Sequence, residues 1–488
     1  MNKLIDSQNN IAILEFSKCI GVGRGTALRW LWSNRDLFHA RPENNGYNAN
    51  IPELIKRAKN LQDHLSIMRL FRRRKAQGIR GDIKHLRLVC DFLEKTEWGI
   101  KKISIDNLHN KDKVTFILND ILRSGVHSRV IILHILSIAS HKKIKTVNII
   151  YLNEANIPNN DSRIIEAKLK SSLLSFLQKT PESCLDNNQE DVISKINIVV
   201  PTTSENFQNN LSGIVFRFQG GSPLLSHHIF LREIFKNRFV ATITFSSRVK
   251  DSKFTDIILS RNKKDLEEKE VPYPFPNTYR PIQKINKTAF LQRRNIITSV
   301  YGGERIHRFF GNANKQDIEY IENILTDSNV EKWVLVGASD VNSAYASAMK
   351  VLSEHSYRKI SIIGRADLKT LYREAKIFLA LPGIFGGGGG ASEAVANGVP
   401  IITHIDKDSD ISNSFTDDAQ FSDTEQALIF LSNGLVSQNI IYNLLCKQQG
   451  EMEEKFNLKA SGERIYEILE KSVKSGKFDH KFRAAENT

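Results

Sequence analysis

Residues 381–403, with the sequence LPGIFGGGGGASEAVANGVPIIT, hold the strongest local signal in the chain. Five consecutive glycines, at positions 386–390, separate a strand-like apolar run from a helix-like run. Glycine lets a ligand come close to backbone N–H groups, and a helix start presents unpaired N–H groups and partial positive charge. The stretch therefore predicts an anion site suited to a diphosphate.

Two side chains of this stretch are candidate ligand contacts. Ser392 is a possible hydroxyl donor to the same anion. Glu393, expected in the first turn of the helix, is a candidate acceptor for ribose hydroxyls. Asn397 and Gly398 then predict the end of the helix, because these residue types favour C-caps.

Other interpretations of the glycine run stay open. The run could be a flexible loop, with Glu393 only complementing the helix dipole. It also contains a literal G-x-G-x-x-A at Gly386, Gly388 and Ala391, and Asp408 lies where a ribose-binding acid of a dinucleotide site belongs. The predicted helix is short for a dinucleotide fold, and five glycines match many glycine patterns.

Strand-like and helix-like runs alternate on both sides of a proline-rich segment, residues 271–281, that holds four prolines. Such alternation predicts parallel sheets covered by helices, and the prolines predict a stiff linker. The expected fold is α/β, with two Rossmann-like domains facing a cleft and an additional, mainly helical N-terminal region. The predicted boundaries are 1–108 (basic helical region), 109–270 (first α/β domain), 271–292 (linker) and 293–475 (second α/β domain with C-terminal helices).

Composition limits the class of protein. The chain has 488 residues, 41% hydrophobic and 25% charged, with four scattered cysteines and a net charge of +15. This excludes a disulfide scaffold and a disordered chain. No signal-peptide core or membrane-spanning run is apparent, so a cytoplasmic protein is expected. The positive charge predicts an anionic partner.

About half of that charge lies in residues 53–87, which contain eleven Lys and Arg and three acidic residues, a net charge of +8. A solvated helix face, a nucleic-acid site and an anionic membrane surface would each explain it. Few aromatic residues accompany the basic ones, which makes nucleic acid the least favoured partner. The hypothesis is peripheral binding to the inner face of the plasma membrane.

The segments IGRADLKTLYREAKIFLALP (363–382) and SEAVANGVPIIT (392–403) resemble the donor-binding half of GT-B glycosyltransferases, in particular the large retaining family that builds bacterial polysaccharides from nucleotide sugars. The resemblance covers residues 113–470 and is most specific in 333–403. It implies that Glu393 holds the donor ribose and that basic residues after the strand IITSVYGG contact phosphates. The implied donor-side residues are Gly303, Arg305, Arg308, Gly337, Arg365, Gly387, Gly388, Gly389, Gly390, Ala391, Ser392 and Glu393.

The chain departs from that family at one position. Retaining members often carry E-x7-E, and Phe385 stands where the first Glu would be, so retention or inversion stays open. On the acceptor side, His127 and Asp120 are the candidate catalytic residues, because an inverting reaction needs a general base and histidine has a suitable pKa. Further acceptor-side candidates are Gly125, Arg217, Gly220 and Gly221.

The leading prediction is a glycosyltransferase that moves a sugar from a UDP- or GDP-sugar to a hydroxyl of a sugar or lipid-linked acceptor, in surface polysaccharide or glycoconjugate synthesis. No metal-ligand pattern is present, and no obligatory cofactor is expected. Two alternatives remain. One is another nucleotide-using enzyme, NAD(P)-dependent or phosphoribohydrolase-like. The other is a non-catalytic basic protein that binds nucleic acid or membrane.

Overall fold

The structure is a computed structural model, and most of the described chain lies between residues 112 and 474. It describes residues 112–118, 126–151, 162–201, 209–219, 238–244, 255–260, 269–273, 275–276, 281–326, 329–381, 384, 388–404, 420–421 and 424–474, with Ser33, 38–41, 46–49 and Arg57.

Part of the N-terminal region is a strand pair. Strands β1 (Phe38–Arg41) and β2 (Gly46–Ala49) run antiparallel, with Phe38 opposite Ala49. The prediction of a mainly helical region did not include this strand pair. The sequence between them, PENN, is rich in turn-forming residues, a signal that the helical periodicity further along the chain obscured. The basic segment 53–87 lies outside the described residues, apart from Arg57 in a helical conformation.

The first sheet has seven strands. They are β3 (Lys113–Leu118), β4 (Thr146–Tyr151), β5 (Ile196–Val199), β6 (Ile214–Gln219), β7 (Val240–Thr244), β8 (Ile257–Ser260) and β9 (Glu270–Pro272). All pair in parallel, in the order β5-β4-β3-β6-β7-β8-β9. Residues 114–118 of the central strand β3 are all buried, as expected when helices cover both faces of a parallel sheet.

Three helices connect the strands of this first α/β unit. They are α1 (Val126–Ser140), α2 (Ser162–Leu177) and α3 (Gln189–Ser194). Helix α1 is apolar over most of its length and buries Ile132, Ile135 and Leu136 in the core of the unit. Asn188 caps α3 by accepting a hydrogen bond from the N–H of Asp191 at 2.7 Å.

The predicted linker begins inside the first sheet. Strand β9 pairs with β8, Ser260 lying opposite Pro272. β9 is an edge strand, where a proline removes no ladder hydrogen bond. The described part of the linker ends in helix α4 (Lys287–Leu291), which Asn286 caps through the N–H of Ala289 at 2.7 Å.

The second sheet has six strands. They are β10 (Ile296–Gly303), β11 (Lys332–Ala338), β12 (Ile360–Ile363), β13 (Ile377–Leu379), β14 (Ile401–His404) and β15 (Gln420–Phe421). They too are parallel, in the order β12-β11-β10-β13-β14-β15. The connecting helices are α5 (Arg305–Asn312), α6 (Lys315–Thr326), α7 (Val341–Val351), α8 (Glu354–Arg358), α9 (Leu368–Glu374) and α10 (Gly388–Ala396).

The chain ends in three described helices that join the two units. They are α11 (Thr424–Val436), α12 (Gln438–Lys455) and α13 (Leu458–Lys474). Helices α11 and α12 contribute to the core of the second unit, whereas α13 packs against α1 and buries Leu458, Ile465, Ile468 and Leu469 in the core of the first. The predicted boundaries grouped all C-terminal helices with the second domain, whereas α13 packs on the first unit. The sequence order of α13 does not reveal this packing, because its partner α1 lies more than 300 residues earlier.

Candidate functional site

The order of strands in the second sheet reverses beside β10. From β10 the chain adds β11 and β12 on one side, and then returns to add β13 and β14 on the other. The carboxyl ends of parallel strands lie at one edge, and ligands of such sheets bind at the point of reversal. The carboxyl end of β10, which contains Gly302, and the start of α10 at Gly388, which follows β13, lie at this edge.

Strands β10 and β13 separate toward the crevice. Their described backbone pairing runs from Ile297 and Ile377 to Thr298 and Phe378. Beyond it, side chains of β10 take over the pairing. The Ser299 hydroxyl donates to the carbonyl of Leu379 at 2.5 Å, and the N–H of Leu381 donates to the Tyr301 hydroxyl oxygen at 2.9 Å.

The helix after the glycine run starts earlier than expected. Helix α10 begins at Gly388, so Gly388, Gly389 and Gly390 form its first turn, whereas they were predicted to lie in a loop. Glu393 is consequently in the second turn, not the first. The early start is possible because these residues lack a Cβ: one added to Gly390 would lie only 3.0 Å from Cβ of Val300 on β10.

The first turn of α10 keeps the features of an anion site. The N–H groups of Gly388, Gly389 and Gly390 have no partner within a helix that starts there, and the helix dipole adds partial positive charge. Ser392 is buried, and its hydroxyl donates to the carbonyl of Gly388 at 2.8 Å. Its predicted use as a ligand donor therefore conflicts with a bond inside the helix.

The remaining members of this segment differ in exposure. Ala391 is buried in the core of the second unit, while Glu393 is half-buried. Gly387 and Phe385 lie outside the described residues. Glu393 is thus the acidic side chain that the structure places on the helix next to the glycine turn.

The opposite wall of the crevice carries arginines. Arg305 is the first residue of α5, directly after β10; it is exposed, and its Nη1 donates to the carbonyl of Gly302 at 3.0 Å. Gly303 has φ of +77° at this turn. Arg308 lies one turn further and forms an exposed ion pair with Glu304, 2.7 Å apart. The guanidinium of Arg305 lies nearer the turn than that of Arg308 along the helix.

Two predicted residues mark the ends of the outer strands. Gly337, near the end of β11, has φ of +104°, and a Cβ there would lie 2.4 Å from the carbonyl oxygen of Tyr301. This close approach lets β10 and β11 stay together up to the crevice. Arg365 follows β12 and is exposed.

Tyr372 connects the two α/β units electrostatically. Its side chain on α9 is fully buried, and its hydroxyl donates to the carbonyl of Gly390 at 2.9 Å. Burial raises the pKa of Tyr372 strongly, the negative charge of Glu393 raises it further, and the positive charge of Arg129 opposes the rise. Arg129 belongs to the first turn of α1 in the first unit, so a positive charge of that unit acts on a buried group of the second.

Local sequence patterns did not single out Tyr301, Tyr372 and Arg129. Tyr301 and Tyr372 carried a weak signal, as aromatic residues at the end of a strand and within a short helix beside the glycine run. Arg129 lies in helix α1, which begins at Val126. Its approach to Tyr372 depends on how the two units pack, which local patterns do not encode.

The first sheet has its own point of reversal, between β3 and β6. Asp120 and Gly125 follow β3, and Gly220 and Gly221 follow β6. These four residues lie outside the described part of the chain. The strands that precede them are neighbours, with Val114 opposite Ile214.

The other two acceptor-side candidates are placed by the structure. His127 has its backbone in the first turn of α1. Its side chain is not among the parts that the structure describes. Arg217, predicted to line the cleft, is 2% exposed. Its Nε donates to the Thr242 hydroxyl at 2.6 Å and its Nη2 to the Thr255 hydroxyl at 2.8 Å. These contacts hold Arg217 within the first unit.

Within the described residues, no three His, Cys, Asp or Glu side chains group as in a metal site. In the same part of the chain, each helix is too short or too polar to cross a membrane.

No protein-family model matches the chain, and no curated protein matches it in sequence. Solved structures do resemble it. A mutant O-GlcNAc transferase of Thermobaculum terrenum matches with a TM-score of 0.52 and 10% identity, over 86% of this chain and 79% of that one. A glycosyltransferase of Rickettsia africae matches with a TM-score of 0.46 and 13% identity, over 75% of this chain and 100% of that one. The apo form of the lipopolysaccharide outer core galactosyltransferase WaaB matches with a TM-score of 0.45 and 11% identity, over 74% of this chain and 99% of that one.

The first of these likenesses shows the fold. Two parallel α/β sheets with a crevice at the carboxyl edge are the architecture of GT-B proteins, and the predicted fold class is confirmed. At this level of identity, activity has to be argued from the residues of the site.

Proposed function

We propose that the protein is a glycosyltransferase that transfers a sugar from a nucleotide-diphosphate sugar to a hydroxyl acceptor. One observation supports this most strongly. The carboxyl edge of the second sheet brings the glycine-rich start of α10, Arg305 and Glu393 around a single point of strand reversal. A GT-B fold with an anion site and a carboxylate in these positions suits a nucleotide diphosphate.

The diphosphate would lie between α5 and α10. The N–H groups of residues 388–390 would bind its oxygens, and Arg305 could bind them with two parallel hydrogen bonds. Because the glycosidic bond breaks to leave a nucleoside diphosphate, the same groups would stabilise the charge that develops on the leaving oxygen. Preorganised donors of this kind typically contribute a large part of the rate.

The nucleoside would extend along the outer strands. Glu393 would accept hydrogen bonds from the ribose hydroxyls, one turn beyond the glycine residues. The base would lie near Gly337 and Arg365, where β11 and β12 end. UDP- and GDP-sugars are the proposed donors.

The acceptor would bind on the first unit. The segments after β3 and β6 carry the proposed catalytic residues His127 and Asp120, with Gly125, Gly220 and Gly221 forming the surroundings. If the reaction inverts the anomeric centre, His127 would remove the proton of the attacking hydroxyl. A sugar or a lipid-linked sugar is the proposed acceptor, in the synthesis of bacterial surface polysaccharide or glycoconjugate.

We also propose that the protein works in the cytoplasm and binds the inner face of the plasma membrane through residues 53–87. Their net charge of +8 would attract anionic lipids, each basic residue near the surface contributing about 1 kcal/mol. Sedimentation with vesicles of 30% phosphatidylserine tests this. Binding should be lost when Arg72, Arg73 and Arg74 are changed to Gln, and should be absent with phosphatidylcholine alone.

The donor assignment is tested with the full chain and a ligand panel. Thermal shift and calorimetry with UDP, GDP, CMP, AMP and NAD should show stabilisation by UDP or GDP only. Sugar release from the matching nucleotide sugars then measures activity. Stabilisation by NAD or AMP, without an effect of UDP or GDP, would refute the proposal and favour the dinucleotide alternative.

Paired variants test the residues. Glu393→Gln should weaken nucleoside diphosphate binding about tenfold, because one charged hydrogen bond is lost; Glu319→Gln, at an exposed position on helix α6 of the second unit, is the control. Arg305→Ala should weaken it similarly. Its control is Arg358→Ala, an exposed arginine paired with Glu354 at the opposite edge of the sheet.

A further inference from the structure

We propose that the hydroxyls of Tyr301 and Tyr372 are positioning groups that hold the two ends of the glycine-rich segment in the geometry that binds a diphosphate. Tyr301 fixes the residue that leaves β13, and Tyr372 fixes the first turn of α10. The proposal rests on the proposed function, because it assigns these hydroxyls a role toward the same diphosphate.

Tyr301 replaces backbone pairing at the point where the strands separate. The N–H of Ala380 donates to Ile402 of β14 at 2.9 Å, so that side of β13 is satisfied by the sheet. The next N–H, of Leu381, donates to the Tyr301 hydroxyl oxygen at 2.9 Å. Tyr301 is 1% exposed. A buried N–H without a partner is costly, so the hydroxyl lets β13 leave β10 and open the crevice.

Tyr372 acts at the other end of the segment. Its hydroxyl donates to the carbonyl of Gly390 at 2.9 Å, and its ring is fully buried. Burial raises the pKa of Tyr372, so the hydroxyl stays protonated and remains a donor at alkaline pH. Gly390 also lies against Val300 of β10. The helix start is thereby held from two directions.

The end of β10 contacts the chain on both sides of the glycine segment. Val300 touches the turn of α10, Tyr301 binds the chain that leaves β13, and the carbonyl of Tyr301 lies against Gly337. The residues that enter and leave the glycine segment are therefore fixed to the same rigid element. Such fixation lowers the ordering cost that a ligand would otherwise meet on binding.

The test uses Tyr301→Phe and Tyr372→Phe, which keep the buried rings and remove only the hydroxyls. Tyr320→Phe is the control, since Tyr320 is a 1% exposed tyrosine of the same unit on α6, which packs against α8 and α11. Calorimetry on the full chain measures the affinities for UDP, UMP and uridine, and for GDP, GMP and guanosine. Hydrogen exchange is followed without ligand at residues 381 and 392–394, whose amides donate to Tyr301 and to the carbonyls of the first turn of α10.

Each tyrosine variant should bind the nucleoside diphosphate three- to tenfold more weakly, the range expected for one hydrogen bond, and should change nucleoside binding less than twofold. Exchange of these amides should quicken in both variants and stay unchanged in Tyr320→Phe. Equal losses for diphosphate and nucleoside, or unchanged diphosphate binding, would overturn the proposal.

Failure of the proposed function gives a different result. In that case the wild-type chain binds no nucleoside diphosphate, and the exchange measurement still decides whether the hydroxyls hold the segment. Unchanged exchange in both tyrosine variants overturns the positioning role irrespective of ligand. Faster exchange confined to the segment supports it.

Discussion

Replacing Gly337 by alanine should damage the second unit in a way that can be divided into two physical causes. Gly337 has φ of +104°, and a Cβ there would lie 2.4 Å from the carbonyl oxygen and 2.9 Å from the carbonyl carbon of Tyr301. Both atoms belong to the backbone of the central strand β10, so no side-chain rotation relieves the contact. The strands would have to move apart by about 1 Å to reach ordinary contact distance.

The expected loss of stability has two causes, the positive φ and the close contact with the backbone of Tyr301. A residue with a side chain in a sparsely populated region of positive φ costs about 1–3 kcal/mol. Overpacking against a rigid neighbour adds about 1–3 kcal/mol. The free energy of unfolding should therefore fall by about 2–6 kcal/mol, a large part of the 5–15 kcal/mol that stabilises a typical domain.

Two control glycines separate the terms. Gly303 has φ of +77°, but nothing lies within 4 Å of a Cβ built there, so Gly303→Ala should cost only about 1–2 kcal/mol. Gly311, on helix α5, has neither positive φ nor a close neighbour. Gly311→Ala should stabilise by about 0.5–1 kcal/mol, because alanine is the better helix former.

The assay is urea unfolding followed by the fluorescence of Trp333. This residue is fully buried on β11, and its indole N–H donates to the Ser299 hydroxyl at 2.9 Å. The other tryptophans, Trp30, Trp32 and Trp98, are changed to Phe so that the signal reports the second unit. If Gly337→Ala lowered the free energy of unfolding no more than Gly303→Ala, the argument from the close contact with Tyr301 would be refuted. If all three variants had the same free energy of unfolding, the argument from positive φ would be refuted as well.

Three further predictions concern stability. Ser299→Ala removes the acceptor of the Trp333 indole N–H and should lower the free energy of unfolding by about 1–3 kcal/mol; no change in urea midpoint would contradict it. Burial lowers the pKa of Lys376 to about 8, so the unfolded chain binds more protons between about pH 8 and 10.4. Stability relative to Lys376→Met should rise with pH across that window, by at most about 3 kcal/mol, and a fall would refute the sign. Gly462→Ala places a Cβ 2.3 Å from a carbonyl of α1 and should lower the melting temperature, whereas Gly450→Ala, with nothing within 4 Å, should not.

Local sequence patterns predicted much of the second unit. The run IITSVYGG predicted β10, WVLVGASD predicted β11, and the glycine stretch predicted a strand, a turn and a helix. These predictions held because the strands are buried on both faces and therefore continuously apolar. The start of α10 was misplaced because glycine is a poor helix former by propensity, whereas its packing against Val300 favours a helical turn here.

The site was predicted in part. Arg305, Gly337 and Glu393 come to the carboxyl edge of one sheet, as strand order requires. Arg217 was placed in the cleft because it lies in a strand followed by glycines, but Thr242 and Thr255 hold it inside the first unit. That outcome depends on Thr242 and Thr255, which lie 25 and 38 residues further along the chain. A local pattern does not contain them.

The sequence by itself determined the fold class, because hydrophobic alternation acts over short distances, and the glycine run predicted an anion site. Tertiary structure alone decided which distant groups contact the residues of that predicted site. Helix α13 packs on the first unit, Arg129 of that unit acts on Tyr372, and Tyr301 binds the chain leaving β13. The physical reason is that these contacts join residues separated by tens to hundreds of positions, whose meeting depends on how strands and helices pack.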